Sequence, residues 1–229
     1  MKTLRLFLLA ALTALPVFAD GVRITFSADR YSKSDKLPDG WVLKGKLFTA
    51  KPSYEIVYDK DLKTDVLRIR ADRASGTILY DITGILQKYP VMRWKWRVDS
   101  LPKDADGRVP ERDDQALAIY VGAGRVATNS ISYRWDTDTP KQTRGKVAYG
   151  AGMVKVDWIT LRNKEDKTGV WYVDQVNAAE DLKQICDGKL PDRDVALSIC
   201  SNSQYTKSDI TAEIAYIEFL PLDKGGEKK

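Results

Sequence analysis

The side chain missing from this protein narrows its chemistry more than any that is present. Among 229 residues there are 37 Lys plus Arg, 32 Asp plus Glu, two Cys and no His. A Ser-His-Asp triad, a Cys-His pair, a His-ligated zinc and imidazole acid–base catalysis all need the absent residue. What remains is carboxylate, Lys or Tyr chemistry, oxygen-ligated metals, or binding without reaction.

The densest set of candidate groups is Tyr89-Pro90-Val91-Met92-Arg93-Trp94-Lys95-Trp96-Arg97-Val98-Asp99. On an extended strand Met92, Trp94, Trp96 and Val98 project to one face and Arg93, Lys95 and Arg97 to the other. The tryptophans read first as core, since a large aromatic buries roughly 150–250 Å². The row of three cations needs neighbouring anions, because like charges at alternate positions repel. Two later runs offer them. Asp113 and Asp114 lead into a strand with Leu117, Ile119 and Val121 on its apolar face, which leaves Asp114, Ala116, Ala118 and Tyr120 on the other. In 130–136, Ile131, Tyr133 and Trp135 are apolar, while Ser132, Arg134 and Asp136 face away. If these three segments are neighbours in one sheet, Arg93, Lys95, Arg97, Asp114, Tyr120, Arg134 and Asp136 form a candidate ligand-binding face over the small Ala116 and Ala118. The plain reading of that face is an ion-pair network. The sharper one is a groove for a polyhydroxylated or anionic ligand, held by Arg and carboxylates in alternation.

Carboxylate catalysis stands as the alternative, since a glycoside hydrolase needs only two carboxyl groups roughly 5–10 Å apart. Asp113, Asp114 and Asp136 could supply them, and neighbouring Arg93 and Arg97 would lower their pKa values. No Glu-x-Asp-x-x-Glu arrangement is present, and adjacent Asp113 and Asp114 point to opposite faces of a strand. No catalytic residue is therefore assigned, and binding without catalysis is the leading expectation. A third reading is an envelope module that contacts another protein. No cofactor is expected. Asp59, Asp61, Asp65, Asp104 and Asp106 could ligate a structural calcium, but none follows the EF-hand pattern, and solvated turn acids are the plainer account. Turn aromatics such as Tyr31 or Tyr205 could stack on sugar rings.

The elements that position these groups read as strands. Apolar residues recur at every second position from Val22, Trp41, Tyr54, Val66, Ile78, Val91, Ala116, Ser130, Val154, Trp171, Val195 and Ala212, separated by turn residues such as Pro38-Asp39-Gly40 and Asp187-Gly188. This pattern predicts an all-β chain, an antiparallel two-sheet β-sandwich of jelly-roll type. Short helices are expected at Asp81 to Gln87 and Ala178 to Ile185. With no repeat or linker, residues 20–222 read as one domain.

The ends define the expected compartment. Lys2 and Arg5, an apolar run from Leu6 to Leu15, and small residues up to Ala19 read as a signal peptide at 1–19. The run is too short for a membrane span, so no transmembrane segment is expected after cleavage, and the protein should be periplasmic or secreted. Loss of Lys2 and Arg5 leaves 35 basic against 32 acidic residues, a net charge of +3. So small an excess argues against nucleic acid as a partner, leaving a glycan or other envelope polymer. Residues 223–229 read as a disordered tail. An oxidising compartment predicts a disulfide between Cys186 and Cys200, worth roughly 3 kcal/mol.

Taken together, the 89–98 run, Asp113-Asp114 heading a strand that ends at Tyr120-Val121, Ser130-Ile131-Ser132-Tyr133-Arg134-Trp135, Trp171 with Asp174, the Asp181 region and the closing Ala215-Tyr216-Ile217-Glu218-Phe219 resemble a bacterial family of exported proteins. That family is known only as a domain of unknown function, number three-zero-four-seven. The resemblance spans the mature chain and implies an exported β-sandwich akin to carbohydrate-binding modules, with no catalytic residues to carry over. The sequence departs from the family pattern that the resemblance implies at Cys200-Ser201-Asn202-Ser203, where relatives tend to have an acidic turn.

Overall fold

A computed structural model describes residues 21–32, 36–44 and 49–222. The expected signal peptide at 1–19 and tail at 223–229 lie outside the described residues. In chain order the elements are β1 (Val22–Thr25), β2 (Tyr31–Ser32), β3 (Leu37–Pro38), β4 (Val42–Lys44), β5 (Ser53–Asp59), β6 (Thr64–Asp72), β7 (Ser75–Asp81), α1 (Ile85–Lys88) and β8 (Val91–Val98). They continue with β9 (Gln115–Ala123), β10 (Thr128–Trp135), β11 (Arg144–Tyr149), β12 (Val154–Arg162), β13 (Tyr172–Asn177), α2 (Ala178–Ile185), β14 (Val195–Asn202) and β15 (Asp209–Leu220).

Two sheets form the sandwich. One has the order β13-β8-β15-β6-β5, with β1 also pairing β15; the other has the order β11-β12-β10-β9-β14-β7-β4. Strands β2 and β3 form a small separate ribbon. The pairings are antiparallel except for β10 with β12, which is parallel. The chain leaves β10 at Trp135, forms the sheet edge as β11, then turns back into β12 between β11 and β10. Strand β11 escaped the sequence reading because an edge strand exposed on both faces needs no clean apolar alternation.

Alternate side chains of each sheet meet in the core. Trp94 and Trp96 are fully buried, and their rings lie 5.5 Å from Tyr133 and Trp135 of the opposite sheet. Asp174 ties the sheets at one end, accepting Trp96 Nε1 at 2.7 Å and both Nε and Nη2 of Arg162, at 2.6 and 2.9 Å. Helix α2 has the expected bounds: Asn177 Oδ1 accepts the backbone N–H of Glu180, and Ala178, Ala179 and Leu182 are buried. Helix α1 begins later than expected, because Asp81 completes β7 and its carboxylate takes the Thr83 N–H in the turn that follows.

The expected disulfide is absent: Cys186 and Cys200 are both free thiols. Cys200 lies on the outer face of the seven-stranded sheet, in register with Thr77 and Ala118. Cys186 ends α2, which packs with the core on the other side of that sheet. The sheet itself stands between the two sulfurs, a relationship invisible in their spacing along the chain.

Candidate functional site

The seven residues expected to share one face are divided between the two sheets. Arg93, Lys95 and Arg97 project from β8 on the outer face of the six-stranded sheet, whereas Asp114, Tyr120, Arg134 and Asp136 belong to the other sheet or its flanking loops. The anions answering the β8 row are therefore not Asp113 and Asp114. Arg93 pairs with Glu218 at 2.6 Å, and Arg97 with Asp59 at 2.9 Å and with Glu213. Glu213 also holds Arg68 at 2.7 Å, and the Trp171 ring stacks on the Arg97 guanidinium, 4.6 Å from its centroid. Arg93 and Arg97 thus belong to an ion-pair network of the kind the plainer reading describes.

On the seven-stranded sheet, the end carrying Arg134 is closed. Arg134 Nη1 lies 2.7 Å from Asp113 Oδ1, and Asp136 accepts the Thr160 hydroxyl at 3.0 Å. Arg134, Asp136, Ala116 and Ala118 are all buried. The loop between β8 and β9 rides over them: a side chain at Gly107 would begin 2.9 Å from Arg134 Nη1 and 3.2 Å from Asp136 Oδ2. Burial pushes the Asp136 carboxyl up to about 6 and raises that of Asp113, in both cases against the pull of Arg134. The expected lowering by Arg93 and Arg97 does not occur, since those cations are on the other sheet.

Beyond the covered end, the same face opens into a cleft of about 300 Å³. Its floor is a row of small side chains in register across four strands: Ala196 on β14, Gly122 on β9, Ser130 on β10 and Val156 on β12. Gly122 is required there, because a Cβ would lie 2.8 Å from that of Ser130. Thr77, Ser198 and Tyr120 add hydroxyls to the floor, and Tyr149 and Tyr205 contribute aromatic walls. No Lys or Arg is among the described lining residues, and their one carboxylate is Asp194, at an ion-pair distance of 2.5 Å from Arg125. Burial raises the pKa of Tyr120 and of Tyr149, so both phenols are neutral donors at neutral pH.

One hydrogen bond ties the edge strand β11 to the start of β9. Tyr149 on β11 gives its hydroxyl to Asp113 Oδ2 at 3.2 Å, just before β9. In register Tyr149 is level with Val154, Thr128 and the C-terminal end of β9, so this bond joins residues at opposite ends of the β9–β11 span.

Of the seven expected residues, Tyr120 alone lines this cleft. Thr77, Gly122, Ser198, Asn202 and Tyr149 were missed as candidates, although the polar alternation of Ser198, Cys200 and Asn202 with Leu197 and Ile199 is a readable signal. Among the turn acids considered for calcium, Asp59 is engaged by Arg97, Asp65 by the Ala28 N–H and Asp106 by Arg108. No helix among the described residues is long and apolar enough to cross a membrane.

A family model described as "Protein of unknown function (DUF3047)" matches residues 39–218. Comparison with curated proteins finds no match. Similar solved structures include the CBM22-1–GH10 modules of Clostridium thermocellum xylanase 10B complexed with xylohexaose, at 10% identity and TM-score 0.41, over 83% of this chain and 28% of that one. The xyloglucanase domain of NopAA from Sinorhizobium fredii, in complex with cellobiose, has 10% identity and TM-score 0.42 over 77% of this chain and 92% of that one. Trichoderma harzianum endoglucanase 3 of family GH12 has 10% identity and TM-score 0.41 over 87% and 96% respectively. The chain thus spans little more than a quarter of the xylanase but most of the other two.

Proposed function

The chain belongs to the DUF3047 family, and we propose that it is an exported protein, periplasmic or secreted, that binds an uncharged glycan segment in the outer cleft of its seven-stranded sheet without cleaving it. The observation that carries this reading is the lining of the cleft: hydroxyls on a floor of small residues, tyrosines at the walls, and no cation among the described lining residues. Sugar hydroxyls exchange hydrogen bonds with such a floor, and sugar rings present apolar C–H faces to aromatic side chains. An anionic glycan would lose hydration there and gain no compensating charge. Glycoside hydrolysis needs two carboxyl groups at the bond that breaks. The cleft offers only Asp194 at its rim, while Asp113 and Asp136 are buried outside it. The reading requires no cofactor.

Affinity electrophoresis through gels containing xyloglucan, mixed-linkage β-glucan, galactomannan, polygalacturonate or alginate tests the site. At least one neutral polymer should retard the parent, the acidic polymers should not, and Tyr120→Ala and Ser198→Trp should abolish retardation. Retardation by acidic polymers alone, or by none, would overturn the assignment, as would retardation unchanged in both variants. Product release abolished by Asp136→Asn would promote the hydrolase instead. Export is tested by fractionating cells that express the full chain: the expected product is extracytoplasmic and begins at Asp20.

A further inference from the structure

The two adjacent aspartates at the head of β9 do not line the cleft, yet three of its polar side chains and one backbone N–H of its lining bond to them. Asp113 and Asp114 are 7% and 0% exposed. Asp113 takes the Tyr149 hydroxyl on Oδ2 at 3.2 Å and Gln115 Nε2 on Oδ1 at 2.9 Å, and its backbone carbonyl accepts Asn202 Nδ2 at 3.3 Å. Asp114 faces the other way. Its Oδ1 accepts the Tyr205 N–H at 3.3 Å, and its Oδ2 accepts both the N–H and the hydroxyl of Thr206, at 2.7 and 2.8 Å. Tyr149, Gln115, Asn202 and Tyr205 all line the cleft.

We infer that Asp113 and Asp114 are paired positioning residues for the proposed glycan cleft, Asp113 holding the Tyr149 wall and Asp114 holding the loop that carries Tyr205. The inference rests on the cleft reading above for its functional meaning. Its physical basis is the divergence of neighbouring side chains. Asp113 follows the short helical turn Pro110–Arg112 with φ −76° and ψ 58°, so the two carboxylates leave the chain in different directions. Each then makes charge-assisted hydrogen bonds, which fix geometry better than neutral ones. Two walls on opposite sides are thereby set by consecutive residues, and the distance between them is governed by one short piece of backbone.

Cys200 provides a readout that needs no glycan, because its thiol lines the same cleft and is only 8% exposed. In a Cys186→Ser background, native-state labelling of Cys200 by a maleimide should accelerate about tenfold in Asp114→Ala, less in Thr206→Val, which removes only the hydroxyl donor, and measurably in Tyr149→Phe. Local release of a wall leaves labelling insensitive to urea below the unfolding transition, whereas a purely structural loss makes it rise steeply with urea. Asp114→Asn, which keeps acceptor oxygen, should restore part of the protection. Parent-like labelling in folded Asp114→Ala, Thr206→Val and Tyr149→Phe would overturn the inference, and so would acceleration that merely tracks global unfolding. Accelerated, urea-insensitive labelling without binding of any neutral glycan would leave the positioning roles standing and remove the glycan.

Discussion

Glu213 on β15 lies directly across the sheet from Arg97 on β8, and its fully buried carboxylate accepts Arg97 Nε at 2.8 Å. The same carboxylate holds Arg68 from the strand on its other side, so one anion anchors cations from both neighbouring strands. This arrangement gives Arg97 and Arg68 a shared partner within the six-stranded sheet.

Removing that anion should therefore be severe. Glu213→Ala leaves two guanidiniums without their shared partner and is expected to cost about 3–5 kcal/mol, read from urea denaturation. Arg93→Ala, whose side chain is 40% exposed, should cost much less. Near-equal losses in the two variants would show that the buried carboxylate does not anchor the network.

The inter-sheet tie at Asp174 should behave similarly. Asp174→Ala strands the buried Trp96 indole N–H and leaves Arg162 with Asp166 as its remaining carboxylate partner, with an expected loss of about 2–4 kcal/mol. Asp174→Asn, which keeps an acceptor for the indole, should recover part of it. If Asp174→Asn and Asp174→Ala melt together, the indole bond contributes little.

Acidity should act on stability through Asp136. Burial pushes its carboxyl up to about 6, so the folded protein holds this proton more tightly than the unfolded chain does. Between about pH 4 and 6 the unfolded chain loses the proton first, and stability falls as pH rises, by on the order of 3 kcal/mol across the window. Asp113, raised by the same burial, adds a slope of the same sign. Asp136→Asn is neutral throughout and should lose its share of that slope when urea midpoints at pH 4.5 and 7.5 are compared. Identical pH slopes in parent and variant would exclude Asp136 as the titrating group.

Thiol chemistry should follow the separation of the two cysteines. Alkylation of the unfolded, unreduced protein should add two adducts by mass spectrometry, and in the native state the half-exposed Cys186 should react before Cys200. Burial raises both thiol pKa values, so both reactions should be slow. A product with no free thiol would show that the protein rearranges to join Cys186 and Cys200.

Much of the fold was legible because alternation is local. The period of two at Met92, Trp94, Trp96 and Val98 marked a core face without knowledge of its partners, and it marked Leu117, Ile119 and Val121 equally well. The bounds of α2 were legible from the run Ala178 to Ile185 and the Asp187-Gly188 turn that follows it. The site was less legible. Arg97 meets Glu213 across 116 residues of chain, and no pattern within β8 names that partner. Asp113-Asp114 was recognised as notable, but nothing in the sequence pairs Asp113 with Tyr149 or Asp114 with the backbone of Tyr205 and Thr206.

By itself the sequence determined what each strand shows to its two faces, that His chemistry is excluded, and that two sheets must bury the aromatic stripes, since all of these depend on residue type and spacing along one strand. Only the tertiary structure decided which polar faces are adjacent, which are covered, and where the small residues line up into an open floor. Strand order and sheet curvature arise from pairing between distant segments, and a face becomes a cleft or an ion-pair network according to what packs beside it.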